Sequence, residues 1–429
     1  MAVQQKLINN YILEGQFGLE KESLRVDEHG FLAHTPHPFT ESEKIDRDFC
    51  ENQIEIITGV NGSAEAVYEE LKGLHNTAVR RLYHLKSGRE YIWNFSNPPF
   101  VKSEEDIPIA KFHGEFHGKE LYREYLAEKY GKKKMLFSGI HFNFSFSENY
   151  LREAFEESRL ENYGEFKNRL YLNLAQKVVR YGWLIVYLTA ASPLMDGSFE
   201  NYNDLGKDIL SPYASGRCSE IGYWNDFVPI IDYSDLNTYV DSIQEYVDLG
   251  QLKNPAELYY PVRLKPLGEH SLKNLKETGV NHIELRNIDL NPLADTGVQR
   301  EDIEFLHLLL VYLNVQEDRK LEDFEQIMAI RNIKESARFD DESIVIETGW
   351  SNKENIRKEA LGILTEMEEF FRKPGWEETQ KVLDYQKNKV INEKERYAKK
   401  IMNAFDGGYV KQGLEAAKTY AKKIQREKI

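Results

Sequence analysis

Glu20 and Glu22 stand two apart in FGLEKESLRV, where apolar and polar residues alternate, and this pattern constrains the chain more than any other feature. A period of two marks a strand and sends both carboxylates to one face, with Leu19, Lys21 and Ser23 on the other. Such neighbours repel each other unless water, an arginine or a divalent cation stands beside them. Polar pairs two apart recur in distant segments: His141 and Asn143 in SGIHFNFSF, and Glu284 and Arg286 in IELRNIDLNP, followed by Asp289 and Asn291. DFCENQIEIIT adds Asp48, Glu51 and Glu55. On an exposed hairpin each group would be ordinary. Together they predict a sheet whose concave face gathers hard oxygen ligands around more than one Mg²⁺, with an arginine placed for a transferring phosphoryl group.

Periodicity outlines the rest. Residues 16–34 read as two strands around the Asp-Glu-His-Gly turn, and further strands are predicted within 46–58 and over 135–146, 257–266 and 281–290. Val67, Leu71, Leu74 and Leu82 recur with helical spacing after Ser63, a candidate N-cap. Helices are predicted over 148–161 and 165–191, and they dominate after about residue 300. The Lys- and Glu-rich tail from about 352 reads as a solvated helical face. No repeat or Pro/Gly-rich linker divides the chain, which predicts an α+β fold in one large domain over 1–429. Its curved, mostly antiparallel sheet would be flanked by helices and followed by a helical C-terminal part.

With 56 Lys and Arg against 71 Asp and Glu, the net charge is −15, which disfavours nucleic acid and anionic lipid as partners. Cys50 and Cys218 form no metal-type or disulfide-rich pattern, and the N-terminus has no apolar leader, so the cytoplasm is the expected location. The apolar run 183–191 is about half the roughly 20 residues a membrane span requires. P-loop, GxGxxG and protein-kinase motifs are absent, as is HExxH; His113 and His117 in KFHGEFHG are read as a loop or helix start. His34 and His37, beside two prolines, are read as turn residues.

In order, FGLEKESLRV, DFCENQIEIIT, LYREYLAEKYG, SGIHFNFSF, SGRCSEIGY and IELRNIDLNP resemble the glutamate-cysteine ligase family over roughly residues 16–300, especially the ligase half of bifunctional glutathione synthetases. The resemblance implies a glutamine-synthetase-like sheet that binds ATP at one end. It implies Glu20, Glu22, Asp48, Glu55, His141 and Glu284 as metal ligands for Mg²⁺, with Mn²⁺ a possible substitute, and Arg286 as the phosphoryl-stabilising residue. Tyr122, Tyr223 and Tyr259 fall at the acceptor pocket, Arg217 and Asn143 near bound glutamate, and Arg123 is a further candidate contact.

The implied reaction is the first step of glutathione biosynthesis: L-glutamate, activated by ATP as γ-glutamyl phosphate, condenses with L-cysteine. No protein nucleophile is needed, which leaves Cys218 a packing role. No Gly-rich ATP-grasp domain follows, so the second step is expected elsewhere. The alternatives are a related ligase that joins glutamate to another amino acid or amine, and a noncatalytic binding protein of the same fold.

Overall fold

The computed structural model describes residues 4–112, 114–200, 208–210, 212–349 and 352–427. Among these residues, seven strands form the central sheet: β1 (Gly15–Val26), β2 (Ile45–Arg47), β3 (Gln53–Ile57), β4 (Tyr91–Trp93), β5 (Gly139–Phe146), β6 (Val262–Lys265) and β7 (His282–Asp289). Their order is β2-β3-β1-β5-β7-β6, with β4 added to the Val26 end of β1, and every pairing is antiparallel. Segments more than a hundred residues apart therefore share one sheet.

Alternation divides the sheet into two chemically different faces. Phe17, Leu19, Ile54, Ile56, Phe142, Phe144, Ile283 and Leu285 are buried on one, beneath α1 (Ala64–Tyr83), α2 (Tyr163–Thr189) and α3 (Arg300–Val315). Each large aliphatic side chain sealed there stabilises the fold by about 1.5–3 kcal/mol. Ser63 caps α1, its Oγ accepting from the Ala66 amide at 3.1 Å, and Val67, Leu71 and Leu82 turn inward as their spacing predicts. Residues 183–189 of the apolar run are a buried stretch of α2, and among the described residues no helix is long and apolar enough to cross a membrane.

Lys21 is a buried polar residue on the covered face, as is Ser23. Its Nζ donates to Asn94 Oδ1 at 2.8 Å and lies 3.0 Å from His75 Nδ1, while complete burial pushes the amine well below its ordinary pKa. A neutral, hydrogen-bonded amine is tolerable where an isolated ammonium would not be.

Three sequence expectations change. The predicted hairpin after Gly30 shrinks to a single bridge, Val26 to Leu32, because β1 already has β3, β4 and β5 as neighbours and Pro36 and Pro38 lack amide donors. The expected strand 257–266 begins only at Val262: Asn254 and Pro255 start a short 3₁₀ turn through Glu257, and Tyr259 lies beyond it. The C-terminal region is not one solvated face. Helices Ile356–Phe371, Glu377–Ile391, Tyr397–Ala404 and Tyr409–Arg426 each bury an apolar side, and Tyr409 Oη donates to the Asn97 carbonyl at 2.8 Å. A short ribbon, Val345–Glu347 with Lys353–Asn355, precedes them.

Candidate active site

Register brings the polar residues of the other face together. Glu22 pairs with Glu55 across β1 and β3, Glu20 with His141 across β1 and β5, Asn143 with Glu284 across β5 and β7, and Glu284 with Arg263 across β7 and β6. Three inter-strand steps from β3 to β7 span only about 14 Å. Opposite His141, the register shifts by one residue, so the bulge in β7 falls at Arg286 and Asn287. Such a bulge bends the strand and re-aims the side chain it carries.

His141 sits at the centre of the carboxylates. Its Nδ1 is 3.0 Å from Glu20 and 3.6 Å from Glu284, and its Nε2 is 3.4 Å from Glu22. Glu22 also accepts from the Gly139 amide at 3.0 Å, and Glu20 from Asn143 Nδ2 at 3.0 Å. Glu284, fully buried, meets Arg286 at 3.0 Å and Lys265 at 3.2 Å. One ligand atom each from Glu20, Glu55 and His141 lies within 4.8 Å of the others.

The electrostatics are unequal across this row. Burial, then the charges of Asp48, Glu20 and Glu22, push Glu55 well above the usual carboxylate range; burial also raises Glu22. Burial opposes ionisation of Glu20 and Glu284 too, but the His141 hydrogen bond holds Glu20 down, and Arg286 with Lys265 holds Glu284 well down. Among the described residues, the β3 side therefore lacks compensating positive charge. His141 Nε2 and Asn143 Oδ1 are buried without hydrogen-bond partners among the described residues. Oxygen donors, one imidazole and surplus negative charge fit a hard divalent cation such as Mg²⁺ or Mn²⁺.

Glu20, Glu22, Asp48, Glu55, His141, Glu284 and Arg286 border one cavity of about 250 Å³. Tyr122, on the helix His117–Tyr130, borders it with Tyr223, Tyr259, Arg123 and Arg217. The Tyr223 and Tyr259 rings are 4.0 Å apart between centroids. Arg123 donates through Nε to the Asp48 carbonyl at 2.5 Å. Arg217 donates to the Arg286 carbonyl, and a Cβ at Gly139 would lie 2.5 Å from its guanidinium carbon, so glycine makes room for that crossing. A groove of about 1140 Å³ between α2 and residues 230–238 is larger, but it mixes both charges and gathers none of the paired strand residues. Chemistry is concentrated in the smaller cavity.

Some sequence candidates stand outside this lining. Asn143 reaches Glu20 without bordering the cavity, and Glu51 instead accepts the amides of His37 at 2.7 Å and Lys111 at 2.9 Å. Asp289 does not border the cavity: it accepts from the Ser192 hydroxyl at 2.7 Å and the Ser215 hydroxyl at 2.8 Å, pinning the segment that carries Arg217. His113 lies outside the described residues, while His117 begins its helix with an exposed side chain. Burial pushes the Cys218 thiol up to about 12, far from a reactive thiolate. Sequence reasoning missed Arg263 and Lys265, although their two-apart spacing in VRLK carries the same signal as Glu20 and Glu22.

A family model described as Glutamate-cysteine ligase matches residues 1–253 and 246–336. The glutathione biosynthesis bifunctional protein GshAB of Listeria monocytogenes serotype 4b (strain F2365) is 35% identical over 435 residues, 97% of this chain and 56% of that protein. Its counterpart in Clostridium perfringens (strain 13 / Type A) is 34% identical over 446 residues, 100% of this chain and 56% of that protein. The chain thus spans about half the length of these curated relatives. A bifunctional glutathione synthetase from Pasteurella multocida superposes with a TM-score of 0.83 at 26% identity, covering 99% of this chain and 55% of that one. A glutamate-cysteine ligase from Francisella tularensis, solved with AMP, shares the fold with a TM-score of 0.84 at 22% identity, covering 97% and 90%.

Proposed function

Because the chain belongs to the glutamate-cysteine ligase family, we propose that it uses ATP and Mg²⁺ to join the γ-carboxylate of L-glutamate to the amine of L-cysteine. The observation that carries this proposal is the row from Glu55 through Glu22, Glu20 and His141 to Glu284 and Arg286, closed at one end by Tyr122, Tyr223 and Tyr259. Glu20, Glu22, Asp48, Glu55, His141 and Glu284 would hold the divalent cations. Bound there, the metal would screen the triphosphate and the carboxylates that surround it.

A carboxylate is a poor electrophile, so ATP supplies the leaving group. The glutamate γ-carboxylate attacks the γ-phosphorus, ADP departs, and the acceptor amine then displaces phosphate from γ-glutamyl phosphate. Arg286 offers planar donors to the phosphoryl oxygens as charge redistributes. Arg217 fixes Arg286 through its carbonyl and borders the place where glutamate would lie. The three tyrosines wall the acceptor end. Neither cysteine acts as nucleophile. With this function the protein would work in the cytoplasm, where the buried, unpaired Cys50 and Cys218 would stay reduced.

Product mass spectrometry tests the function: ATP, glutamate and a mixture of amino acids should yield γ-glutamylcysteine with one ADP per product. Another γ-glutamyl product would reassign the acceptor, and ATP left intact would exclude a ligase.

A further inference from the structure

Arg263 and Lys265, two apart on β6, border the cavity but are engaged differently. The Arg263 guanidinium donates to the carbonyls of Ala256 and Leu258, both at 2.6 Å, and so braces the backbone leading to Tyr259. The Lys265 ammonium, among the described residues, makes one ion pair and no hydrogen bond: its Nζ lies 3.2 Å from Glu284 Oε2, an oxygen that accepts no hydrogen bond. Its side chain is 14% exposed, so the ammonium is largely removed from water while its donors are unspent.

Glu284 does not depend on Lys265 alone. Arg286 holds its other oxygen at 3.0 Å, and a divalent cation bound by the same carboxylate would supply further positive charge. The order along β7 then separates the two cations. Arg286 borders the tyrosine end, whereas Lys265 pairs in register with His282, two residues beyond Glu284 in the opposite direction. Near that end β1 has Gly18, paired with Asn143; a Cβ there would meet Asn143 Cβ only at 3.4 Å, so packing does not require glycine.

We propose that Lys265 is a phosphate ligand that changes partner, holding Glu284 while the site is empty and passing to the nucleotide β-phosphate once a divalent cation takes that carboxylate. This role rests on the ATP-dependent function proposed above. Arg286 and Lys265 would then contact the triphosphate from opposite sides of one carboxylate, the first at the transferring group and the second at the group left behind.

Calorimetric titration of the chain with ADP and with AMP, in Mg²⁺ and without glutamate or acceptor, separates this role from a structural one. Lys265→Met should weaken ADP binding about tenfold or more, as expected for losing a charge-assisted contact. AMP, which lacks the β-phosphate, should change less than about twofold, Lys265→Arg should recover most of the ADP affinity, and Mn²⁺ binding read by electron paramagnetic resonance should persist. Unchanged ADP affinity, equal losses for ADP and AMP, or loss of Mn²⁺ binding would each overturn the proposal, the last by making Lys265 a support for Glu284. If the parent chain bound no adenine nucleotide, the ligase function itself would fail. Parent binding matched by Lys265→Met would remove only the lysine.

Discussion

Replacing Arg286 by lysine keeps a positive charge beside Glu284 but removes the planar fork. The backbone should tolerate the change, because the Arg286 amide donates to Pro261 at 3.0 Å and its carbonyl accepts from Arg217, neither through the altered side chain. The side chain meets Glu284 through one nitrogen at 3.0 Å, a contact that an ammonium can partly replace. Folding stability should therefore fall little. Arg286→Ala is a poorer probe, since leaving the fully buried Glu284 with only Lys265 and His141 should cost about 3 kcal/mol, the lower end for a broken buried pair. In the reaction, lysine would lose one of two parallel charge-assisted hydrogen bonds to the phosphoryl group, each of about 1.5–3 kcal/mol. Taking ~2.7 kcal/mol, turnover should drop about 100-fold, with a smaller change in KM for ATP. Coupled ADP release gives kcat and KM, and a circular-dichroism melt checks folding. Near-parental kcat with a raised KM for ATP would refute transition-state stabilisation and make Arg286 a ground-state nucleotide contact.

Glu22→Gln keeps an oxygen for the Gly139 amide but loses the charge, so the chain should fold normally while Mn²⁺ binding, read by electron paramagnetic resonance, weakens at least about tenfold; undiminished binding would remove Glu22 from the metal set. Glu55 and Glu22 hold protons above the usual carboxylate range, so divalent-cation affinity should rise with pH until both ionise, and binding near the acid end should release protons. Calorimetry in two buffers of different ionisation enthalpy measures that release; Glu55→Gln should reduce it, and equal apparent enthalpies for the parent would contradict it. Burial lowers His307, between the rings of Phe17 and Phe144, to about 4, against about 6.5 in the unfolded chain. Its contribution is intact above pH 6.5 and lost as pH falls toward 4, so His307→Leu should remove roughly 2–3 kcal/mol of acid sensitivity, seen as a flatter melting temperature over that window. An unchanged slope would show that His307 is not the titrating group.

The legible part of the fold was local. Period two in FGLEKESLRV and SGIHFNFSF predicts which side chains share a face, and the burial of Leu19, Phe142 and Phe144 opposite Glu20 and His141 follows that pattern. The Ser63 cap and the inward stripe of α1 are equally local. Longer-range features were hidden because they depend on which strand lies beside which. The bridge after Gly30 cannot grow once distant strands flank β1, and the bulge at Arg286 exists only relative to β5. The C-terminal helices mix charges on their outer faces, so their buried sides are clear only where residues such as Phe371 and Tyr409 meet the core. At the site, the residue types gathered around the cavity were visible in the two-apart pairs, whereas the Arg217 crossing and the Asp289 pins required the folded chain.

Hydroxylamine trapping tests most directly whether this face activates glutamate through ATP. With ATP, Mg²⁺, glutamate and hydroxylamine, and no cysteine, the chain should release ADP and γ-glutamyl hydroxamate in equal amounts, because γ-glutamyl phosphate is open to any small nucleophile. ADP release that does not require glutamate, or glutamate-dependent ADP release without hydroxamate, would contradict the γ-glutamyl phosphate account.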